Sequence, residues 1–560
     1  MGSIPETLSP RPTVKLPQGT VVGVTKTKSE GLDKPVHAFL GIPYALPPTG
    51  DRRFRPPVKI DTSSSSSAET VIDASRYGPA APGKPLLRGG PPLQYSEDCL
   101  TVNVFRQAET EQKGLLPVAI YVHGGAFNRG TASMHDTASM VSWSEQPFVA
   151  VSFNYRVGAL GFLPSSLSAT EGALNIGLKD QKLLFEWVQE NIELFGGDKN
   201  NVTLIGLSAG AHSIGHHMMR HNDSNPGPFH RAIIESGAPT SRAVRAYDSE
   251  LHEQQFREFL SEAGVPSDLP QDQIFPFLRS LPLSAITKAQ ETVFDRYNPS
   301  LRWAFQPVID GEMILRRPID TWRTGNYYKI PIMTGFNGNE GSLYVDKKMS
   351  TNDQFVDFFR TLLPRLSDDD IATIANKLYP DPETSGDLSY KETRQSDEIG
   401  PQYKRVEAAY GQYAYVAPVR QTGEFASSSQ TAPVFLYHWA LPTTVIGGAA
   451  HADNMRYETF TPAVRSLSET QKEISGTLHA YVTSFICNKG DPNAIAGRWA
   501  NRPQWQPYKS GDQPKTMIFG KGIEELVGGP NTGKPAECVY DDWAVEQCRF
   551  WWSKVELTQQ

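Results

Sequence analysis

The sequence predicts an α/β fold in which a central, mostly parallel sheet is flanked by helices and interrupted by helical cap insertions. Three observations predict it: short apolar runs followed by glycine-containing loops, a helical pattern between two of those runs, and two long polar stretches that break the alternation.

The runs rich in Val, Ile and Phe at 118–122, 149–153, 202–206, 232–234, 331–334 and 434–437 read as strands buried on both faces, because their apolar character is continuous rather than alternating. Between the second and third, Leu183, Leu184, Trp187, Val188 and Ile192 recur at helical spacing over 180–195, and Gly196-Gly197 ends the pattern. The polar stretches 239–329 and 346–431 carry helical pieces at 251–263 and 355–363. Both follow strand ends, where such sheets bind ligands, so they are expected to cap a substrate pocket within a single catalytic domain over 1–560. The serine run 63–67 reads as a surface loop rather than a linker.

Composition excludes several function classes. A chain of 560 residues with 39 % apolar residues, 10 Trp, 21 Tyr and 26 Phe has ample material for a large core. The 54 basic and 61 acidic residues give a net charge of −7, with no basic block to neutralise a phosphate backbone, so nucleic acid is not an expected partner. No window approaches the roughly 18 uninterrupted apolar residues of a membrane span. Residues 1–18 have prolines where a secretion leader needs its apolar stretch, which leads to the expectation of a cytoplasmic protein. The 4 cysteines show no zinc-like spacing; Cys538 and Cys548 either pair or stay reduced. Oligomeric state is left open.

The chemistry is carried by Gly206-Leu207-Ser208-Ala209-Gly210, a G-x-S-x-G between the strand 202–206 and a helical stretch over 209–220. A tight strand-to-helix turn projects the serine, and small residues on either side let the chain pass closely. The helix starting there directs N–H groups toward a developing oxyanion. His123-Gly124-Gly125-Ala126 follows the strand 118–122 and supplies further candidate oxyanion donors. A serine nucleophile needs a base and a carboxylate to orient it. His451, in the Gly-rich loop after 434–437, is the best placed base, while His438 reads as a packed residue. Glu340 follows the strand 331–334 and is a candidate acid; on spacing alone, Asp346 and Asp397 are alternatives. His212, His216, His217 and His221 share a helix but lack a carboxylate or cysteine among them, so packing beneath the site is the expected role rather than metal binding.

These residues resemble the type B carboxylesterase and lipase family, which includes the cholinesterases, and its fungal members most of all. The likeness runs from about Gly19 to Trp552 through an ordered motif set: Gly41-Ile42-Pro43-Tyr44-Ala45, Ser96-Glu97-Asp98-Cys99-Leu100, Asn154-Tyr155-Arg156-Val157 and Asn175-Ile176-Gly177-Leu178. The resemblance implies the α/β-hydrolase fold. It also implies Ser208 as nucleophile, Glu340 as acid, His451 as base, and the N–H groups of Gly124, Gly125 and Ala209 as the oxyanion hole. No metal or organic cofactor is implied. Two departures stand out. Leu207 replaces the glutamate that usually precedes the nucleophile, and Cys99 has no cysteine upstream to pair with, which the resemblance links to a reducing compartment. No Trp lies within 82–98, so choline esters are not the expected substrate.

The expected function is therefore carboxylic-ester hydrolysis on a small to medium apolar ester or specialised metabolite, through an acyl-enzyme. Acyl transfer to an alcohol or amine uses the same triad and is the alternative. A non-catalytic binding protein of the same fold, and a lipase acting at a lipid interface, are the other readings.

Overall fold

The computed structural model of the chain describes residues 11–62, 70–87, 92–111, 113–495, 497–511 and 513–560. The serine run 63–67 lies outside the described residues, as do the first ten positions of the stretch read for a leader.

The main sheet contains β1 (Val24–Lys26), β2 (Val36–Pro43), β3 (Thr101–Gln107), β4 (Leu116–Val122), β5 (Val149–Phe153), β6 (Gly197–Leu207), β7 (Arg231–Glu235), β8 (Ile332–Asn337), β9 (Val434–Trp439), β10 (Lys515–Phe519) and β11 (Ala536–Tyr540). Their spatial order is β11-β10-β9-β8-β7-β6-β4-β5-β3-β2-β1. From β5 across to β10 every neighbouring pair is parallel. The outer strands pair antiparallel. A small separate sheet joins Thr13–Leu16, Gly19–Val22 and Val71–Asp73.

The six runs predicted as strands are β4 to β9, the parallel centre, where burial on both faces makes the apolar pattern continuous. The antiparallel edges escaped the reading of runs. In β2 the register shifts between Phe39 and Ile42 around Gly41, whose φ is 73°, and β11 is only partly buried, so neither presents a clean period.

Alternation along β4 divides the interior into two cores. Val118, Ile120 and Val122 enter one with α1 (Ile176–Asn191), α2 (Ala209–Arg220) and α3 (Ala417–Ser429). Ala119 and Tyr121 enter the other, where α4 (Glu469–Cys487) lays down Ile474, Leu478, Val482 and Phe485. Each such side chain removed from water contributes about 1.5–3 kcal/mol before entropy is counted. The helical pattern of 180–195 is the end of α1 followed by a 3-10 turn, Ile192–Phe195. The stretch 239–329 folds as Glu250–Glu262, Gln271–Ser280, Leu283–Tyr297 and Pro318–Thr324. The stretch 346–431 includes Asn352–Leu362, Tyr403–Gly411 and α3, and α3 packs Val419 and Ala426 against the sheet core.

All four cysteines are free, so Cys538 and Cys548 are not bonded to each other. Cys548 instead accepts a hydrogen bond from Arg420 Nη1 at 2.8 Å. Among the described residues no helix is long and apolar enough to cross a membrane.

Candidate active site

Four segments meet at the carboxyl ends of parallel strands: His123-Gly124-Gly125 after β4, Ser208 after β6, Glu340 after β8 and His451 after β9. Ser208 sits at the turn from β6 into α2 with φ 58° and ψ −122°, a conformation unfavourable for a residue with a Cβ. Two backbone bonds hold it there. Its N–H donates to the Glu235 carbonyl at 2.9 Å, and its own carbonyl accepts from the His212 N–H at 2.9 Å. The glycines permit the crowding: a Cβ on Gly210 would lie 2.0 Å from the Val122 carbonyl oxygen, and one on Gly124 would lie 2.6 Å from the Leu207 carbonyl oxygen and 3.0 Å from Ser208 Cβ. Ala209 is the first residue of α2, so its N–H belongs to the donors a helix leaves without an internal partner.

His451 Nδ1 lies 2.5 Å from Glu340 Oε2, and both side chains are buried. The other imidazole nitrogen, Nε2, is buried without a protein partner among the described residues, and His451 lines the same cavity as Ser208. Glu340 Oε1 accepts from the Asn337 N–H at 2.7 Å. Asn337 Nδ2 in turn donates to the Ala450 carbonyl at 2.6 Å, and Asn339 exchanges two bonds with Ala449, N–H to carbonyl at 2.9 Å and Oδ1 from the Ala449 N–H at 3.0 Å. The turn bearing Glu340 and the loop bearing His451 are thereby fastened together. Tyr415 and Tyr344 flank the imidazole with centroids 4.6 and 5.4 Å away.

The cavity at this point has a volume of about 460 Å³ and is lined by Ser208, His451, Gly124 and Gly125, with apolar walls that include Leu86, Leu93, Phe294, Trp303, Leu343 and Tyr344. Phe294 and Trp303 come from the stretch 239–329, while 346–431 reaches the site through Tyr415 behind His451.

Of the sequence-derived candidates, Ser208, His451, Gly124 and Gly125 line one cavity, and Glu340 reaches it through His451. Asp346 and Asp397 have no contact with His451 among the described residues, and His438 packs against Trp543, its basicity lowered to about 3 by burial. Two of the α2 histidines turn to structural partners: His212 Nδ1 lies 2.9 Å from the Ala238 carbonyl and His217 Nε2 lies 3.0 Å from Gln181 Oε1. His123 is stacked on Tyr155 at 4.2 Å, and burial lowers it to about 4, leaving the ring neutral.

Sequence reasoning missed a carboxyl pair behind the nucleophile. Glu235, whose carbonyl holds Ser208, places Oε1 2.9 Å from both the Tyr437 hydroxyl and Asn454 Nδ2. Burial, and then the neighbouring Glu458, raise the Glu235 carboxyl well above the usual carboxylate range. Burial pushes Glu458 up to about 7 and lowers its neighbour His135, 3.4 Å away, to about 4. A glutamate at the carboxyl end of a predicted core strand, as in Ile234-Glu235-Ser236, was the available signal.

Compared with known proteins, residues 10–526 match the family described as the carboxylesterase family. The chain is 33 % identical over 509 residues to Secreted lipase 4 of Gibberella zeae, covering 89 % of this chain and 87 % of that protein. It is 29 % identical to Secreted triacylglycerol lipase LIP1 of Gibberella zeae over 89 % of this chain and 85 % of the relative. It is 30 % identical to Lipase 4 of Diutina rugosa over 94 % of each. The crystal structure of Aspergillus niger EstA superposes with a TM-score of 0.80 at 26 % identity, over 98 % of this chain and 99 % of that one.

The secreted relatives overturn the expectation of a cytoplasmic protein. The unpaired Cys99 was weak ground for it: the residue is fully buried and burial pushes its thiol far up, so it is shielded from oxidation in either compartment.

Proposed function

Since the chain belongs to the carboxylesterase family, and is a carboxylic-ester hydrolase of the α/β-hydrolase fold, we propose that Ser208 carries its acyl-enzyme. The observation that carries this reading is the His451 to Glu340 contact at 2.5 Å, with the free Nε2 at the cavity that Ser208 lines.

Ser208 Oγ bonds to the ester carbonyl carbon as His451 Nε2 takes its proton, and the carbonyl electron pair moves onto oxygen. Glu340 accepts the Nδ1–H, fixes the tautomer and stabilises the imidazolium. The N–H groups of Gly124, Gly125 and Ala209 receive the oxyanion, each donor being worth about 3 kcal/mol in such sites. Collapse breaks the bond to the alkoxide oxygen, which leaves with the proton from Nε2. Water then repeats the sequence and releases the acid.

The apolar walls and a volume of about 460 Å³ favour an ester of small to medium size with an apolar part, since pockets for drug-sized ligands run from about 300 to 1,000 Å³. The chain acts as one catalytic unit in which 239–329 closes the pocket. The names of the secreted relatives support action outside the cell.

Initial rates on p-nitrophenyl esters from acetate to palmitate, for the wild type and Ser208→Ala, test the reading. Wild-type turnover that falls about a thousandfold or more in the variant supports it; equal turnover in both overturns it. Adding an alcohol acceptor and analysing the products separates hydrolysis from acyl transfer.

A further inference from the structure

The cavity carries positive charge that a neutral ester does not require. Lys84, Arg129 and Arg456 line it, and Asp295 is the one carboxylate among its described lining residues. Asp295 pairs with Lys84 at 2.8 Å and favours the charge on Arg129 from farther off, which leaves two arginines without an ion pair among the described residues. This local excess opposes the net charge of −7 on the chain.

Arg129 is built into the site. Its backbone N–H donates to the Gly125 carbonyl at 3.1 Å, and its Cγ lies 2.8 Å from where a Cβ on Gly125 would stand, so the stem crosses a candidate oxyanion glycine. The guanidinium carbon sits 5.4 Å from the centre of the Phe294 ring, and Nη1 donates to the Pro85 carbonyl at 3.0 Å. Nε is buried and has no hydrogen-bond partner among the described residues. With Nη1 occupied, Nε and Nη2 remain, and these form the side of the guanidinium whose two parallel N–H bonds match the two oxygens of a carboxylate. Holding a half-buried guanidinium with an unsatisfied Nε beside Ser208 is costly, and part of the cost is recovered when an anion arrives. Arg456, exposed at the cavity edge, adds a longer-range attraction for the same charge.

We propose that the substrate is an ester that also carries an ionised carboxylate, received by Nε and Nη2 of Arg129 with Arg456 at the entrance. This rests on the acyl-enzyme reading of Ser208.

The test compares kcat/KM for mono-p-nitrophenyl glutarate with that for p-nitrophenyl valerate, a neutral ester of the same acyl length. A second pair, 4-(butyryloxy)benzoate against phenyl butyrate, places the charge on the alcohol side and tells which part of the ester meets Arg129. The expected result is a preference of about tenfold or more for the charged member of one pair, weakening as salt is raised and lost in Arg129→Met. Arg129→Lys is expected to retain part of it. Arg456→Met, a surface change that leaves the loop of Gly125 intact, is expected to lower the preference severalfold. A wild type that hydrolyses neutral esters through Ser208 but shows no charged preference in either pair, or one that Arg129→Met leaves intact, overturns this inference alone. Absence of Ser208-dependent turnover on all four esters overturns the acyl-enzyme reading and the inference with it.

Discussion

The side-chain amide of Asn337 donates to the backbone carbonyl of Ala450 at 2.6 Å, one residue before His451, while its backbone N–H donates to Glu340 at 2.7 Å. Asn337 thus ties the loop of the base to the turn of the acid, beside the two bonds between Asn339 and Ala449. Asn337→Ala leaves both side chains in place but removes the bond nearest His451, while the two Asn339 bonds to Ala449 remain, so kcat is expected to fall about tenfold with KM changing less than about twofold. Steady-state kinetics on a short p-nitrophenyl ester check this. An unchanged kcat would mean that the loop is held without the amide.

Gly210 lies inside α2, where replacing glycine by alanine ordinarily gains about 1 kcal/mol. Here the added Cβ would meet the Val122 carbonyl oxygen at 2.0 Å. The sign is therefore expected to invert, with Gly210→Ala losing about 1–3 kcal/mol in denaturant unfolding. A more stable variant would contradict the close packing of helix and strand behind Ser208.

The Glu235 and Glu458 carboxyls make stability pH-dependent. Burial raises both, so the folded protein keeps a proton that the unfolded chain releases above its usual value near 4.5. The unfolded state then binds fewer protons, and the pair's contribution to stability declines as pH rises from about 4.5 through about 7. His135, lowered to about 4 by burial, acts in the opposite direction between about 4 and its usual 6.5, so the raw profile mixes the two. Glu458→Gln removes only the carboxyl. The melting temperature of the variant minus that of the wild type is expected to increase across pH 5 to 7; a flat difference would contradict a shared buried proton.

Trp303 separates the main cavity from a smaller one beside Arg242, whose guanidinium lies over the indole at 4.0 Å. Trp303→Ala joins the two spaces. The acyl-length optimum on the ester panel is expected to move to longer chains, with an unchanged optimum showing that Trp303 does not limit the acyl length.

The sheet centre and the candidates Ser208 and His451 were legible because each lies where an apolar run meets a glycine cluster, whereas Glu340 was set apart from Asp346 and Asp397 only by the family resemblance. Val202 to Gly206 leads into Ser208, the run ending at Thr334 leads into the turn of Glu340, and the run ending at Tyr437 precedes the loop of His451. What was not legible depends on contacts between distant segments. Tyr415 reaches His451 from the stretch 346–431 through a π-helical turn, Gln412–Val416, that periodicity does not announce. Glu235 and Glu458 are 223 positions apart in number and meet only because β7 and the segment after His451 converge under the nucleophile. No motif or spacing marks Arg129, whose stem crosses Gly125 only in the folded chain.

The most direct test of the central claim is to mix the protein with excess p-nitrophenyl butyrate, quench at acidic pH within the first turnovers, and map the acyl mass by peptide mass spectrometry. The account predicts a burst of p-nitrophenol and a butyryl group on the peptide containing Ser208, absent in Ser208→Ala. Turnover with no acylated peptide, or with the acyl group on another residue, would contradict it.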